Sequence, residues 1–446
     1  MDYDRPLQAE NMIEIGIAMH RPSEPKGVIF YNPGGTDAGI VLAWQIALDQ
    51  TKIFEGLLDH DLLFMDVRGT YSSNPLNVSL DLFQTLFGPY PTTPNEYTVF
   101  QEASAIVVQS WIDLSSPPGI IAHVSTREVV NDYEMVRKAL GYAKINFLGA
   151  SYGSFRAQQY AFNFPDQVGH FVLDAVTPHA LSLSESALDS IAASNRALER
   201  ADAYCQSDVQ CPFHTQERGS LIKAFHTLVR IAENVSSLES VGVRQTVSAA
   251  LLEGPSGLPD FLAISLGLHD ALSGNFSFFE SSTSLTVADV VAMPLECSDQ
   301  SESGLTFESF NLSLAEGLRH DTSGIGMAFA WQIQLWCSAW PYSFSEKTPL
   351  LVQKSMLLVT SDFDDGSPTE WTTFGWRQAP KSGLVVRHGD GHVSFNLADA
   401  PSNNLTKSFL RTGILPSTSD DFSVTVYPPG GVREPISDPY QVPFRV

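Results

Sequence analysis

The segment Ile145-Asn146-Phe147-Leu148-Gly149-Ala150-Ser151-Tyr152-Gly153 runs an apolar strand into a glycine-flanked serine. Residues 153–163, which follow it, carry a helical pattern. Gly149, Ser151 and Gly153 therefore form a G-x-S-x-G motif at a predicted strand-to-helix turn. Such a turn is strained, and side chains at the flanking positions would collide, which is why glycine stands there. The turn lifts the serine hydroxyl clear of the sheet and points the next helix N-terminus at it. Ser151 is the candidate nucleophile. The bare motif recurs by chance in long chains, so the strand before it and the helix after it carry the assignment.

The same rhythm extends outward in both directions. Val28-Ile29-Phe30-Tyr31 ends in Asn32-Pro33-Gly34-Gly35, and Asp61-Leu62-Leu63-Phe64-Met65-Asp66 is followed by Arg68-Gly69. Residues 126–140 have helical spacing, with Thr126 as N-cap and Gly141 as the stop. Phe171-Val172-Leu173-Asp174 is a further strand. Strands that alternate with helices predict βαβ units and a mostly parallel sheet, the α/β class. From 178 to 345 the rhythm gives way to helical pattern, and it returns at Ser355–Thr360 and Gly383–Arg387. The segment after 412, rich in Pro, Ser and Asp, reads as an irregular extension. At roughly 150 residues per domain the length of 446 suggests three units. The returning strands predict instead one α/β core, 1–177 and 346–446, interrupted by a helical cap at 178–345.

A nucleophilic serine needs a base for its proton and an acid to orient that base. Asp364 lies just past the strand at 355–360, and His392, in Gly389-Asp390-Gly391-His392, just past 383–387. Both fall in loops at the carboxyl ends of strands, where open parallel sheets place their sites. Asp362 and Asp365 compete for the acid role and His388 for the base; Asp364 and His392 are preferred. An oxyanion needs two backbone N–H donors. Tyr152, after the nucleophile, supplies one, and the turn at 32–35 supplies the other, from Gly35, with Gly34 in reserve. This chemistry requires no metal and no organic cofactor.

Hydrophobic residues make up 43% of the chain, enough for a large core and against disorder. The 50 acidic against 26 basic residues, a net charge of −24, argue against nucleic acid and anionic membranes as partners. No apolar run is long enough for a transmembrane helix. The partner expected is a small-molecule or short-peptide substrate; oligomeric state is left open. Cys205, Cys211, Cys297 and Cys337 include no C-x-x-C pair and no histidine at ligand spacing, against structural zinc. Cys205 and Cys211 are close enough to clip a short loop, which leaves Cys297 with Cys337; four buried free thiols are the alternative. Sequons at Asn77, Asn234, Asn275, Asn311 and Asn404 tilt the reading toward a secreted glycoprotein, though some arise by chance in a Ser-rich chain. Met1-Asp2-Tyr3-Asp4-Arg5-Pro6 is not a signal peptide, so an exported protein would here lack its leader. An intracellular location is the alternative.

Taken in order, Asp2-Tyr3-Asp4-Arg5-Pro6, Asn32-Pro33-Gly34-Gly35, Asp66-Val67-Arg68-Gly69, the Ser151 turn, Val172-Leu173-Asp174 and Gly391-His392 resemble the tripeptidyl-aminopeptidase-like α/β hydrolases. These are relatives of the prolyl aminopeptidases. Cys297-Ser298-Asp299 and Cys337 before Trp340-Pro341 fit the resemblance, which covers nearly the whole chain. It implies an α/β-hydrolase fold with a large inserted helical cap, disulfides inside that cap, frequent export, and exo-acting serine peptidase activity. Two positions depart from the pattern. Gly34-Gly35-Thr36-Asp37 stands where the family's turn usually continues Gly-Gly-Pro-Gly, and Asp364-Asp365-Gly366-Ser367-Pro368 lacks the usual Thr before Pro. Neither removes a catalytic group, and both keep a small-molecule ester, lactone or thioester in view as substrate.

An aminopeptidase has to hold a free α-ammonium, and Glu296 and Asp299 are the candidates for that. In so acidic a chain the plainer reading of either is a solvated surface group. Trp336 and Trp340, four apart, read as packing rather than as a substrate wall. A non-catalytic binding protein of the same fold is opposed by the intact set of Ser151, Asp364 and His392.

Overall fold

The computed structural model describes every residue except 7, 9–10, 36, 235–238, 253–256, 281–286, 343–346, 420–421 and 445–446. All residues of β2 (Val28–Asn32), β3 (Asp61–Met65) and β6 (Met356–Phe363) are buried. Continuous burial of this kind marks strands covered on both faces. With β1 (Ile17–His20), β4 (Ile145–Ala150), β5 (Val168–Asp174), β7 (Gly383–Asp390) and β8 (Val424–Tyr427) they form one sheet, in the order β1-β3-β2-β4-β5-β6-β7-β8. The strands from β2 to β7 are parallel, while β1 and β8 run antiparallel at the two edges. The order of connection reverses around β2, the switch point at which such sheets open a crevice.

Because side chains alternate along a strand, neighbouring residues enter different layers. Phe30, Phe147, Phe171 and Leu358 pack with Trp111, Tyr133 and Tyr160 on one face. Those aromatic residues come from α3 (Pro94–Leu114), α4 (Thr126–Ala139) and α5 (Tyr152–Asn163). On the other face Ile29, Leu148, Val172 and Leu357 meet Phe409 and Leu410. These belong to α14 (Pro401–Thr412); the short α1 (Gly39–Ala47) packs on the same face through Leu42, Ala43 and Ile46, α2 (Leu80–Gln84) precedes α3, and α13 (Thr369–Arg377) joins β6 to β7.

Among the described residues seven α-helices lie between β5 and β6: α6 (Leu183–Ser207), α7 (Ser220–Ala232), α8 (Ser240–Leu252), α9 (Phe261–Leu272), α10 (Val287–Gln300), α11 (Phe307–His320) and α12 (Phe329–Trp336). A reciprocal capping box between Ser182 and Glu185 starts α6. These helices divide between two cores. Leu198, Phe225, Val247, Ile264 and Leu268 enclose a separate one within α6–α9. Met293, Phe310, Trp331 and Trp336 of α10–α12 share the main core with Trp111 and Phe83. Cys205–Cys211 clips the end of α6, Cys297–Cys337 ties α10 to the turn after α12, and none of the four cysteines is free.

Two local expectations change. The segment after 412 contains β8, and residues beyond it are anchored: Arg200 Nη1 donates to Pro439 O at 2.6 Å and to Val442 O at 2.7 Å. Ser125, not Thr126, is the N-cap of α4, and its side chain caps no backbone N–H. That duty falls on Asp299, which accepts from Thr126 N and Thr126 Oγ1, each at 2.7 Å.

Candidate active site

Ser151 sits between β4 and α5 with φ 52° and ψ −126°. A non-glycine residue held there stores roughly 1–3 kcal/mol of strain, sustained only when the surroundings over-determine it. They do so by close approach. A Cβ on Gly149 would lie 2.5 Å from Gly153 O, and one on Gly153 would lie 2.4 Å from Asn32 O. A Cβ on Gly34 would meet Ala150 O at 2.4 Å and Ser151 Cβ at 2.6 Å. The turn at 32–35 is thus pressed against the serine. Ser151 N donates to Asp174 O of β5 at 2.8 Å.

His392 follows β7 and Asp364 follows β6. The imidazole Nδ1 lies 2.9 Å from Asp364 Oδ1 and 3.0 Å from Oδ2, with the Asp364 side chain 1% exposed. Asp364 Oδ1 also accepts from Gly366 N at 2.9 Å and Ser367 N at 2.8 Å, so its orientation is set by backbone. The competing residues occupy other positions. His388 Nδ1 meets Asp362 Oδ2 at 2.7 Å, and that carboxylate also takes Ser437 Oγ at 2.6 Å and Arg433 Nη2 at 3.1 Å. Asp365 accepts from Ser194 Oγ at 2.8 Å. Burial raises the Asp365 carboxyl to about 6.

A cavity of about 530 Å³ brings Gly35, Ser151, Tyr152 and His392 together with Glu296 and Trp336 from the inserted helices. Tyr152 is the first residue of α5, where a backbone N–H has no acceptor within its own helix. Of the two glycines in the facing turn, Gly34 N already donates to Asn32 Oδ1 at 3.2 Å. Glu296 and Asp299 part company. Asp299 takes Tyr152 OH at 2.8 Å as well as its two bonds from Thr126, and it does not line this cavity. Glu296 does line it, and has no hydrogen-bond partner among the described residues. Burial, then the nearby Asp299, raises its carboxyl to about 8. Lys347, also in the wall, is committed: its Nζ donates to Glu302 Oε1 at 2.7 Å and to Leu181 O at 3.1 Å. Trp336 lines the cavity while packing on Phe83; Trp340 packs on Tyr342 instead.

Two supporting residues stand outside the predicted site. Asp174, ending β5, accepts from Ser394 N at 3.2 Å and Phe395 N at 2.7 Å, fixing the chain just after His392. Arg387 Nη2 donates to Asp390 O at 2.6 Å and Gly391 O at 3.2 Å, fixing the chain just before it. Asp174 ends a readable strand, which is a signal; Arg387 reads as one more strand residue.

Two family models agree with this architecture. Residues 27–221 match the family model described as "alpha/beta hydrolase fold", and residues 322–421 match "TAP-like protein". The tripeptidyl aminopeptidase of Streptomyces coelicolor is 24% identical over 444 residues, covering 93% of this chain and 80% of that protein. Serine protease Hip1 of Mycobacterium tuberculosis is 28% identical over 235 residues, 51% of this chain and 44% of that one. A solved proline iminopeptidase from Mycobacterium smegmatis aligns with a TM-score of 0.40 at 12% identity, over 90% of this chain and 95% of that one.

Proposed function

Since the chain is a serine hydrolase of the tripeptidyl-aminopeptidase-like α/β hydrolases, we propose that it is an exo-acting peptidase working through an acyl-enzyme. One observation carries the catalytic half: His392 Nδ1 is shared between both oxygens of Asp364, in a wall that also presents Ser151. Asp364 holds Nδ1 of the imidazole, which leaves the other nitrogen to act on the serine. His392 takes the Ser151 proton as the oxygen attacks the carbonyl, then returns it to the leaving amine. The N–H groups of Gly35 and Tyr152 receive the oxyanion. Water, deprotonated by His392, releases the acyl group.

Glu296 supports the exo-acting half. It is a cavity carboxyl without a hydrogen-bond partner among the described residues, beside a lysine whose charge is already paired. A substrate α-ammonium would supply the missing cation. The two disulfides support an oxidising compartment, and the asparagine of each of the five sequons is exposed.

The test compares peptidyl amides carrying free and blocked N-termini with aryl esters. Among peptides, cleavage of unblocked but not blocked N-termini supports an aminopeptidase, and cleavage of esters with no peptide cleaved moves the substrate to small-molecule metabolism. Full turnover in Ser151→Ala overturns the mechanism.

A further inference from the structure

Arg156 lies on α5, one turn beyond Tyr152, and is 1% exposed. It is a buried cation with no carboxylate at ion-pair distance among the described residues. Its guanidinium reaches instead across to the facing turn: Nη1 donates to Asn32 Oδ1 at 2.9 Å and Nη2 to Gly35 O at 3.2 Å. Its Nε has no hydrogen-bond partner among the described residues, and its Cζ stands 4.9 Å from the centre of the Tyr152 ring. Burying a cation that bonds no carboxylate among the described residues is costly, so its retention in this place calls for a return elsewhere.

The turn it holds has little rigidity of its own. Gly34 and Gly35 stand at φ +99° and +44°, and no proline follows them. Glycine gains freedom there and loses entropy on being fixed. The same Asn32 Oδ1 that takes Arg156 also takes Gly34 N, while Asn32 Nδ2 donates to Tyr133 OH at 2.9 Å. One planar fork therefore joins the helix that begins after the nucleophile to the turn opposite it. An ammonium cannot span both acceptors in that fixed geometry.

We propose that Arg156 is a positioning residue for hydrolysis, locking the Gly34-Gly35 turn against the serine elbow so that its N–H is already aimed where oxyanion charge develops. The proposal rests on the Ser151 reading above. Its charge, which Asp37, Glu296 and Asp299 also feel without bonding to it, adds a favourable potential to the negative transition state.

The experiment uses Arg156→Met and Arg156→Lys with p-nitrophenyl butyrate as substrate and phenylboronic acid as a tetrahedral-adduct inhibitor. Rates are normalised to Ser151 titrated by an organophosphate, and melting temperature is followed in parallel. Expected for Arg156→Met is a loss of about 10- to 100-fold in kcat, below the effect of deleting a whole oxyanion donor. KM should stay within about two-fold, and the boronate should weaken in step with kcat. Arg156→Lys should fall between, and it decides the question alone if Arg156→Met does not fold. A merely structural role would lower melting temperature without separating boronate affinity from KM. Unchanged kcat and boronate affinity in both variants overturn the proposal, as does a kcat loss with full boronate affinity. Activity surviving in Ser151→Ala condemns the underlying reading instead, so the two failures are distinguishable.

Discussion

Arg200 of α6 and Asp390 at the end of β7 are joined by two hydrogen bonds of 2.7 Å, two residues before His392. The Arg200 side chain is 0% exposed and that of Asp390 12%. The same guanidinium holds the carbonyls of Pro439 and Val442, and its Cζ stands 3.8 Å from the Phe444 ring centre. One arginine thus fastens an inserted helix, the histidine loop and the last segment of the chain at a single point.

Removing one partner of a buried pair leaves the other charged and unpaired, at a cost of about 3–5 kcal/mol. Arg200→Met should lower stability by that order, measured by urea unfolding. Asp390→Asn should cost less, since it keeps the shape and one acceptor, yet lower kcat by disturbing the approach to His392. Two variants with wild-type stability and kcat would show that the loop is set by Arg387 and Asp174 alone.

The two His–Asp pairs separate cleanly by mutation. Asp364→Asn keeps the size but favours the wrong imidazole tautomer, and a loss of about 10⁴-fold in kcat is expected. Asp362→Asn touches His388, Ser437 and Arg433, none of which lines the cavity. It should lower melting temperature and leave kcat within a few-fold. Steady-state kinetics beside thermal melts of the two proteins check both statements. The reverse pattern would hand the acid role to Asp362.

Much of this arrangement was legible in the sequence because it is local. Buried strands such as Val28–Asn32 are short apolar runs, and glycine must recur where a Cβ would strike backbone 2.4–2.5 Å away, as at Gly149 and Gly153. The position of Asp364 and His392 after two strands needed only the strand rhythm. What was not legible depends on partners far along the chain. β8 is four residues long and owes its place to pairing with β7. Asp299 reads as a surface acid or an ammonium ligand until Thr126, 173 residues away, is found beside it. Arg156 and Arg200 look like polar positions on amphipathic helices; their meaning lies in carbonyls that periodicity does not see.

The disulfides should contribute unequally. In the chain-entropy view a crosslink stabilises more as the loop it closes lengthens. Cys297–Cys337 spans 40 residues and Cys205–Cys211 only 6. That corresponds to about 4 and about 2 kcal/mol respectively. The double variant Cys297→Ser with Cys337→Ser should therefore melt lower than Cys205→Ser with Cys211→Ser. It should also lose more activity, because Glu296 and Trp336 are sequence neighbours of the longer bridge and line the cavity. Differential scanning calorimetry and kcat/KM on both doubles decide it; equal effects would argue that the α10–α12 helices are held by core packing alone.

Stability should decline as pH rises from about 5 to 8. Burial raises the carboxyls of Asp174, Asp299 and Asp365 to about 6, Asp189 to about 7 and Glu296 to about 8. Each then holds its proton in the folded state over a range where the unfolded chain has lost it. The folded state binds more protons, so the slope of stability with pH is negative across that window. His179 opposes this on the acid side: burial lowers it to about 4, and its contribution fades as pH falls below its ordinary 6.5. Glu134, held down to about 2 by its bond from Arg137, contributes fully above about 4.5 and loses that contribution as pH falls from there to about 2. Glu296→Gln removes the titration that extends furthest upward. Its melting temperature should fall less than that of the wild type between pH 6 and 8. In the same protein KM for unblocked peptides should rise while KM for an aryl ester holds, since only the peptide presents an ammonium to that carboxyl. Parallel pH–melting curves for the two proteins would remove Glu296 from the titration, and an unchanged peptide KM would remove it from substrate binding.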